Sequence, residues 1–364
     1  MGFSINRNQA TRSSTDFSPL PRPEPSAAFG YRAVIVAAVL ALALLVAVAI
    51  ALGPFRLLPG DLLAFLVAKA TGGASPLSSP AETVILQIRL PRVCAATAVG
   101  AGLAAAGAAY QSLFRNPLVS PDILGVSSGA AFGAVVGIYL ALPVLAIEAA
   151  SFAGGLAAVI IVYAVAVAIR GRDAVLVLVL AGVVIGALFG AGVGLLKYLA
   201  DPYNQLPAIT FWLLGSLAAA NLRDLTSLLP AVVVGLVPLA LLRWRIDVMT
   251  LGDDEAAALG VNTRLLRAVV IAAATLMTSA AVATSGIIGW VGLVVPHLAR
   301  LVVGPAFTRL LPAAVLFGAG YLLAVDTVAR TIGSVELPLG VLTAALGTPV
   351  FLWLLAFSRR PAWS

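Results

Sequence analysis

The sequence predicts an all-α polytopic membrane protein with about ten transmembrane helices, and three observations predict it. Of its 364 residues 61% are hydrophobic and only 10% charged, with a mean hydropathy of +1.08; a soluble domain carries about 45–50% apolar and about 25% charged residues. The few charges cut the chain into ten apolar stretches, most of them close to the roughly 20 residues a helix needs to cross a hydrocarbon layer. The basic residues, finally, divide unevenly between the two sides those stretches define. A net charge of +7 therefore reads as membrane topology and not as nucleic-acid contact. The single cysteine, Cys94, excludes an internal disulfide, and the single histidine, His297, excludes a histidine-rich metal site. No metal site and no cofactor bound by this chain are expected, and most enzyme chemistry is disfavoured.

Residues 1–31 come first. They hold Arg7, Arg12, Arg22, Pro19, Pro21, Pro23 and serine runs, a composition that cannot build a core, so a disordered cytoplasmic tail is expected there and a transmembrane domain over 32–360. The uncharged run Ala33–Leu52 is too long, and too far from the start, for a cleavable signal peptide and reads as the first span. The ten stretches are 33–53, 93–113, 121–141, 147–169, 174–196, 225–242, 265–284, 290–303, 308–329 and 340–358; the eighth is short enough for a partial or tilted helix. With the amino terminus inside, 15 of the 22 Lys and Arg residues lie inside. Outside lie Arg56, Lys69, Arg89, Arg92, Lys197, Arg223 and Arg330. That asymmetry supports ten spans with both termini cytoplasmic, a topology that also permits an inverted repeat.

Ion-driven carriers keep ionisable groups within their spans, and here the spans hold few: Glu148 near an outer loop, and Asp326, four residues before Arg330 and so placed for an i,i+4 pair. Energy for transport must then come from elsewhere. The segment Gly252–Asn262 supplies a candidate. Gly252 breaks the preceding structure, Asp253, Asp254 and Glu255 favour a helix amino terminus, Ala256 continues the helix, and Gly260 after Leu259 suits its close. The result is a short cytoplasmic helix, either an ordinary capped surface helix or a piece shaped to dock into a cleft on a soluble partner.

At the outer entrance to the second span, Pro91 fixes a helix start between Arg89 and Arg92. Cations at that helix end want an external anion, so Arg89, Arg92 and Arg330 are expected to face outward, toward lipid headgroups or a partner's carboxylates. The inner end, Arg115–Ala130, reads as a tight hairpin with caps at Ser120 and Asp122, in which Asn116 and Leu118 are placed to constrict a pore mouth. Gly182, Gly186, Gly190 and Gly194 recur every fourth residue, so one stripe of the fifth span lacks side chains, for close packing or as a smooth pathway wall. The segment Asp201–Pro207 cannot continue that helix, and His297 after Pro296 is expected to be packed and hydrogen-bonded.

Taken together, Arg89-Leu90-Pro91-Arg92, Gln111 with Asn116-Pro117-Leu118, Pro121–Ala130, Leu251-Gly252-Asp253 with Leu259-Gly260, Gly289 with Gly292–Arg300, and Glu336-Leu337-Pro338-Leu339-Gly340 with Gly347-Thr348-Pro349 resemble the FecCD family. These are permeases of type II ABC importers for iron-siderophore complexes, haem and cobalamin, and the likeness covers about residues 35–358. It implies the type II permease architecture, two permeases per transporter as a homodimer with the pathway between them, two cytoplasmic ATPase subunits that bind ATP and Mg, and a periplasmic binding protein. It further implies that Arg89, Arg92 and Arg330 meet the binding protein, that Asn116 and Leu118 form the cytoplasmic gate, and that Gly252–Gly260 inserts into the ATPase. A second, polar gate element of related permeases falls on Val175-Leu176, which is apolar. The expected function is import of a metal chelate, foremost an iron-siderophore, across the bacterial inner membrane. Haem, cobalamin or a molybdate-type oxyanion are alternative cargoes, and an ion-coupled secondary transporter is the competing class.

Overall fold

A computed structural model of the chain describes residues 25–357, apart from 54, 56–58, 74–76, 170–173 and 334. All regular structure in these residues is helical. In chain order, α1 (Pro25–Ala51) leads through α2 (Pro59–Thr71) and α3 (Ser79–Thr83) into a π-helical turn, Val84–Arg89, that runs unbroken into α4 (Leu90–Leu113). A 3-10 turn, Pro121–Leu124, precedes α5 (Val126–Tyr139), which α6 (Val144–Ala168) and α7 (Ala174–Leu199) follow. Next come α8 (Gln205–Leu214), α9 (Leu222–Leu241), α10 (Arg243–Met249), α11 (Asp253–Ala258) and α12 (Thr263–Ser285). The described chain closes with α13 (Val291–Val303), α14 (Phe307–Ala329) and α15 (Leu339–Phe357).

Each of the ten apolar stretches carries a helix. Among the described residues seven runs are long and apolar enough to cross a membrane, namely those of α1, α3–α4, α6, α7, α9, α12 and α14, and shorter apolar helices lie in α5, α8, α13 and α15. Two boundaries differ from expectation. The first helix begins at Pro25, inside the stretch expected to be a disordered tail; positions 1–24 of that stretch, and 358–360 of the expected transmembrane domain, lie outside the described residues. The second span begins at Ser79 and not at 93, because Ser79–Leu113 is one 35-residue helical run. Its charges interrupt the hydropathy pattern without interrupting the helix. The helices α2, α3, α8 and α10 are additions to the sequence reading, whereas the break expected over Asp201–Pro207 is present between α7 and α8.

The bundle is organised on α4, which is buried at almost every position from Pro91 to Leu113. In lipid, apolar area alone does not drive helices together, so association relies on close backbone approach at small residues. Gly100 sits against the Gly318 carbonyl of α14, and Gly107 against the Gly292 carbonyl of α13; a Cβ at either glycine would overlap the opposing backbone. Gly102 faces Val232 of α9, and the Tyr110 hydroxyl lies 3.2 Å from Thr275 Oγ1 of α12. The α5–α6 hairpin closes in the same way through Gly129 and Gly133 on one side and Gly154 and Ala150 on the other.

Three interruptions of helix meet inside this bundle. The Ser216 amide donates to Ser285 O at 2.8 Å and the Leu339 amide to Gly215 O at 2.9 Å, which joins the α8–α9, α12–α13 and α14–α15 connections through main chain. Gly215 (φ 75°) and Gly286 (φ 69°) adopt the left-handed conformations this requires. Unwound backbone is tolerated at such depth only where other protein satisfies it.

Replacing Gly107 by alanine should force α4 from α13 and cost on the order of 1–3 kcal/mol by overpacking, seen as a lower Tm in detergent. Alanine at Gly190, where an added methyl group would meet nothing within 4 Å, should leave Tm unchanged or raise it slightly.

Candidate functional site

Four groups of candidate side chains lie at the two ends of the bundle and along α7. At the end far from α11, Arg89, Arg92 and Arg330 converge. All three are buried, at 4%, 8% and 8% exposure, and this corrects the expectation that they face outward. Arg89 Nη1 donates to Ile50 O (2.6 Å) and Ala51 O (3.0 Å), and its Nη2 to Phe55 O. Arg330 Nη1 donates to Leu52 O at 2.8 Å and its Nη2 to Ala49 O. The last carbonyls of a helix lack intrahelical partners and carry the negative end of its dipole, so two guanidinium groups, one just ahead of α4 and one at the end of α14, together cap α1.

Arg92 takes a different direction. Its Nε and Nη2 lie 3.0 and 2.9 Å from Asp326 Oδ1, and Nη1 lies 2.8 Å from Glu336 Oε1. Arg330 Nε is 3.7 Å from Asp326 Oδ2, so the expected i,i+4 pair exists, but Arg92 is the shorter partner. The π-helical turn ends at Arg89; beyond it Arg89 addresses α1 and Arg92 addresses α14. Three guanidinium groups against two carboxylates leave one positive charge, set against the roughly half-unit negative charge of the α1 terminus. Glu336, with a side chain 42% exposed, is the member of the cluster that reaches the surface. A lone acid in an apolar span signals a cationic partner, yet nothing local in the sequence names Arg92, 234 positions away.

At the other end α4 stops in a turn. Arg115 is left-handed (φ 50°), and Asn116 Oδ1 accepts from the Leu118 amide at 2.9 Å, which closes the Asn-Pro-Leu segment on itself. Asn116 and Leu118 are both exposed. Ser120 and Asp122 do not cap the 3-10 turn as expected; Asp122 instead accepts from Ser127 and Ser120. Gln111 links α4 to α13, donating to Leu293 O (3.1 Å) and accepting from Arg300 Nη2 (3.3 Å). His297 is packed as expected, but neither ring nitrogen has a hydrogen-bond partner among the described residues.

The short helix expected over 252–262 is α11. Gly252 (φ 142°) starts it, and Gly260 (φ 80°) ends it in a Schellman motif, with Val261 N to Ala256 O at 2.9 Å and Gly260 N to Ala257 O at 3.0 Å. Ala256 is fully buried. Asp253, Asp254, Glu255 and Leu259 are exposed, and so is Leu251, so the helix presents an acidic start flanked by leucine. Asp253 is held 2.9 Å from Arg267 of α12.

The glycine stripe of α7 divides. Gly182 lies against the 3-10 turn, where a Cβ would overlap Ile123 O, and Gly186 is in ordinary contact distance of Ser128 and Gly125. Gly190 and Gly194 open on free space, next to exposed Val184, Leu188 and Tyr198. Packing therefore explains half the stripe, and the other half belongs to an uncovered face.

A model of the FecCD transport family matches residues 40–357. The chain is 39% identical over 300 residues to the molybdate import system permease protein MolB of Haemophilus influenzae, covering 82% of this chain and 88% of the relative. It is 42% identical over 281 residues to a probable iron chelatin transport system permease protein of Helicobacter pylori, covering 77% and 85%. Among solved structures it resembles an inward-facing transporter assigned to the metal-chelate ABC type, with a TM-score of 0.80 and 36% identity over 89% of this chain and 99% of that one.

Asp326→Ala strands buried Arg92 and Arg330 and should cost roughly 3–5 kcal/mol. Glu336→Gln, at the half-exposed edge, should cost under about 1 kcal/mol. Comparing the two Tm shifts checks the order.

Proposed function

Since the chain belongs to the FecCD transport family, a family of ABC importer permeases, we propose that it is the membrane subunit of an ATP-driven importer that passes a metal chelate, foremost an iron-siderophore, inward across the bacterial inner membrane. What carries the reading is α11, an acid-tipped, exposed helix fixed at both ends by glycine and tied to α12 through Asp253. In this reading Gly252–Gly260 seats in a cytoplasmic ATPase that binds ATP and Mg, and the amino and carboxyl termini share its side of the membrane. The chain itself then performs no hydrolysis.

A second copy of the chain covers the open half of α7, where Gly190 and Gly194 would form the smooth wall of a pathway between two permeases. Asn116 and Leu118 close that pathway at the α11 end, one pair from each copy. A substrate-binding protein docks at the opposite end. For Arg89, Arg92 and Arg330 to meet its carboxylates, they would exchange Asp326, Glu336 or the α1 carbonyls for them. Charge reversal there breaks the internal cluster and so cannot report on docking alone.

Cargo is the open choice. The 39% identity to a molybdate permease favours a second reading, an oxyanion cargo, beside the 42% identity to an iron chelatin permease. Ferric chelate and molybdate offered separately to the cognate binding protein decide between them.

In liposomes holding the chain, its ATPase and its binding protein, uptake should require ATP on the ATPase side and persist when ionophores collapse all gradients. Uptake driven by a gradient without ATP would return the chain to the secondary-carrier class. Asp254→Lys with Glu255→Lys should abolish co-purification of the ATPase while lowering Tm only slightly, since both side chains are exposed and only their interaction with the start of α11 is lost.

A further inference from the structure

The amino terminus of α14 has no cap of its own. Its N-cap residue is Ala306, which offers no side-chain acceptor, and Phe307 is fully buried, so its amide cannot turn to water. The acceptor comes from another helix. Asp247 of α10 accepts from the Phe307 amide at Oδ1 (2.5 Å), from the Thr308 amide at Oδ2 (3.1 Å), and from the Thr308 hydroxyl. Its own carbonyl accepts from Thr250 Oγ1 at 2.7 Å, at the root of α11. One residue is thus bonded on one side to the start of α14 and on the other to the segment that leads into α11. Ile246, Val248 and Met249 of α10 and Ala256 of α11 are buried in the same core as Phe307, Leu310 and Leu311.

We infer that Asp247 is a latch that transmits displacement of α11 into α14, and through it toward the Asp326 cluster at the far end of the bundle. The inference rests on the reading of α11 as the ATPase contact and adds the route by which its movement leaves the cytoplasmic surface. α14 is one helix of 23 residues, on the order of 35 Å long at 1.5 Å per residue; Pro312 removes one backbone hydrogen bond in its second turn, but a push at Phe307 reaches Asp326 without an intervening loop. A negative charge at a helix start is favoured by the dipole, which suits Asp247 to hold under load. A cap supplied by α14 itself would take the Thr308 or Arg309 amide, leave that of Phe307 unbonded, and connect nothing.

That difference gives the test. Asp247→Ala removes cap and latch together. Adding Ala306→Ser restores a local cap, because Ala306 already has the extended N-cap conformation (φ −63°, ψ 120°). The double variant, purified with its ATPase and reconstituted with the binding protein, is expected to recover part of the Tm that Asp247→Ala loses, and full ATPase association, while cargo moved per ATP hydrolysed falls about tenfold, inside the span of typical inter-site couplings. Wild-type cargo per ATP in that variant would overturn the latch, leaving Asp247 a cap only. Should the double variant not accumulate, Asp247→Asn, isosteric and still able to accept one amide, is expected to show a smaller loss of the same ratio, and no loss would overturn the inference equally. Retained ATPase binding by the Asp254→Lys, Glu255→Lys chain would instead remove the α11 reading, an outcome read on binding and separate from the Asp247 ratio.

Discussion

Close backbone approach on α4 is the constraint from which the rest of the bundle follows. A helix immersed in lipid gains little by covering leucine with leucine, so the partners of α4 are chosen by how near they can come. Gly100 admits α14, Gly107 admits α13, and Gly102 receives α9. With those registers set, both ends of α4 are placed: the arginines at one end meet α1 and α14, and the Asn116 turn at the other stands beside the 3-10 turn that supports α7. Dispersion gained at short range, summed over many atoms, replaces the hydrophobic effect as the source of specificity.

The spans are legible in the sequence because hydropathy is a local property. Ten apolar stretches carry ten helices, and α11 is bounded where Gly252 and Gly260 stand, since a positive φ leaves its mark in residue type. Boundaries fail where charge is buried. A reading that sends every arginine to the surface starts the second span at Val93, whereas Arg89 and Arg92 are interior to a helix that starts at Ser79. Their partners are separated from them by long stretches of chain, and some of those partners are main-chain carbonyls, which no residue type announces. The cap that Asp247 gives α14 is hidden for the same reason: Ala306 looks like a helix start lacking a cap, and the acceptor lies 60 positions earlier. Residues 25–31 adjoin the polar tail and carry no local signal that separates them from it, although they continue α1.

The two halves of the α7 stripe show how one motif serves two neighbours. Gly182 and Gly186 are spent inside the chain, against the 3-10 turn and α5. Gly190 and Gly194 repeat the spacing where no described part of the chain follows, with large apolar side chains around them. Periodicity alone cannot separate those uses, because the helix is regular throughout and only its surroundings change.

The junction where Ser216, Gly215, Ser285 and Leu339 exchange main-chain hydrogen bonds has a consequence for mutational surveys. An alanine scan removes side chains, and these contacts use none, so the most consequential of them would register as silent. The informative positions are the glycines: Gly215 and Gly286 by their φ, and Gly340, where a methyl group would crowd Leu214 O and Ile287 O. A map of tolerance built from side-chain deletion would therefore show a blank at the place where three helix connections are joined. Only enlarging substitutions would reveal it.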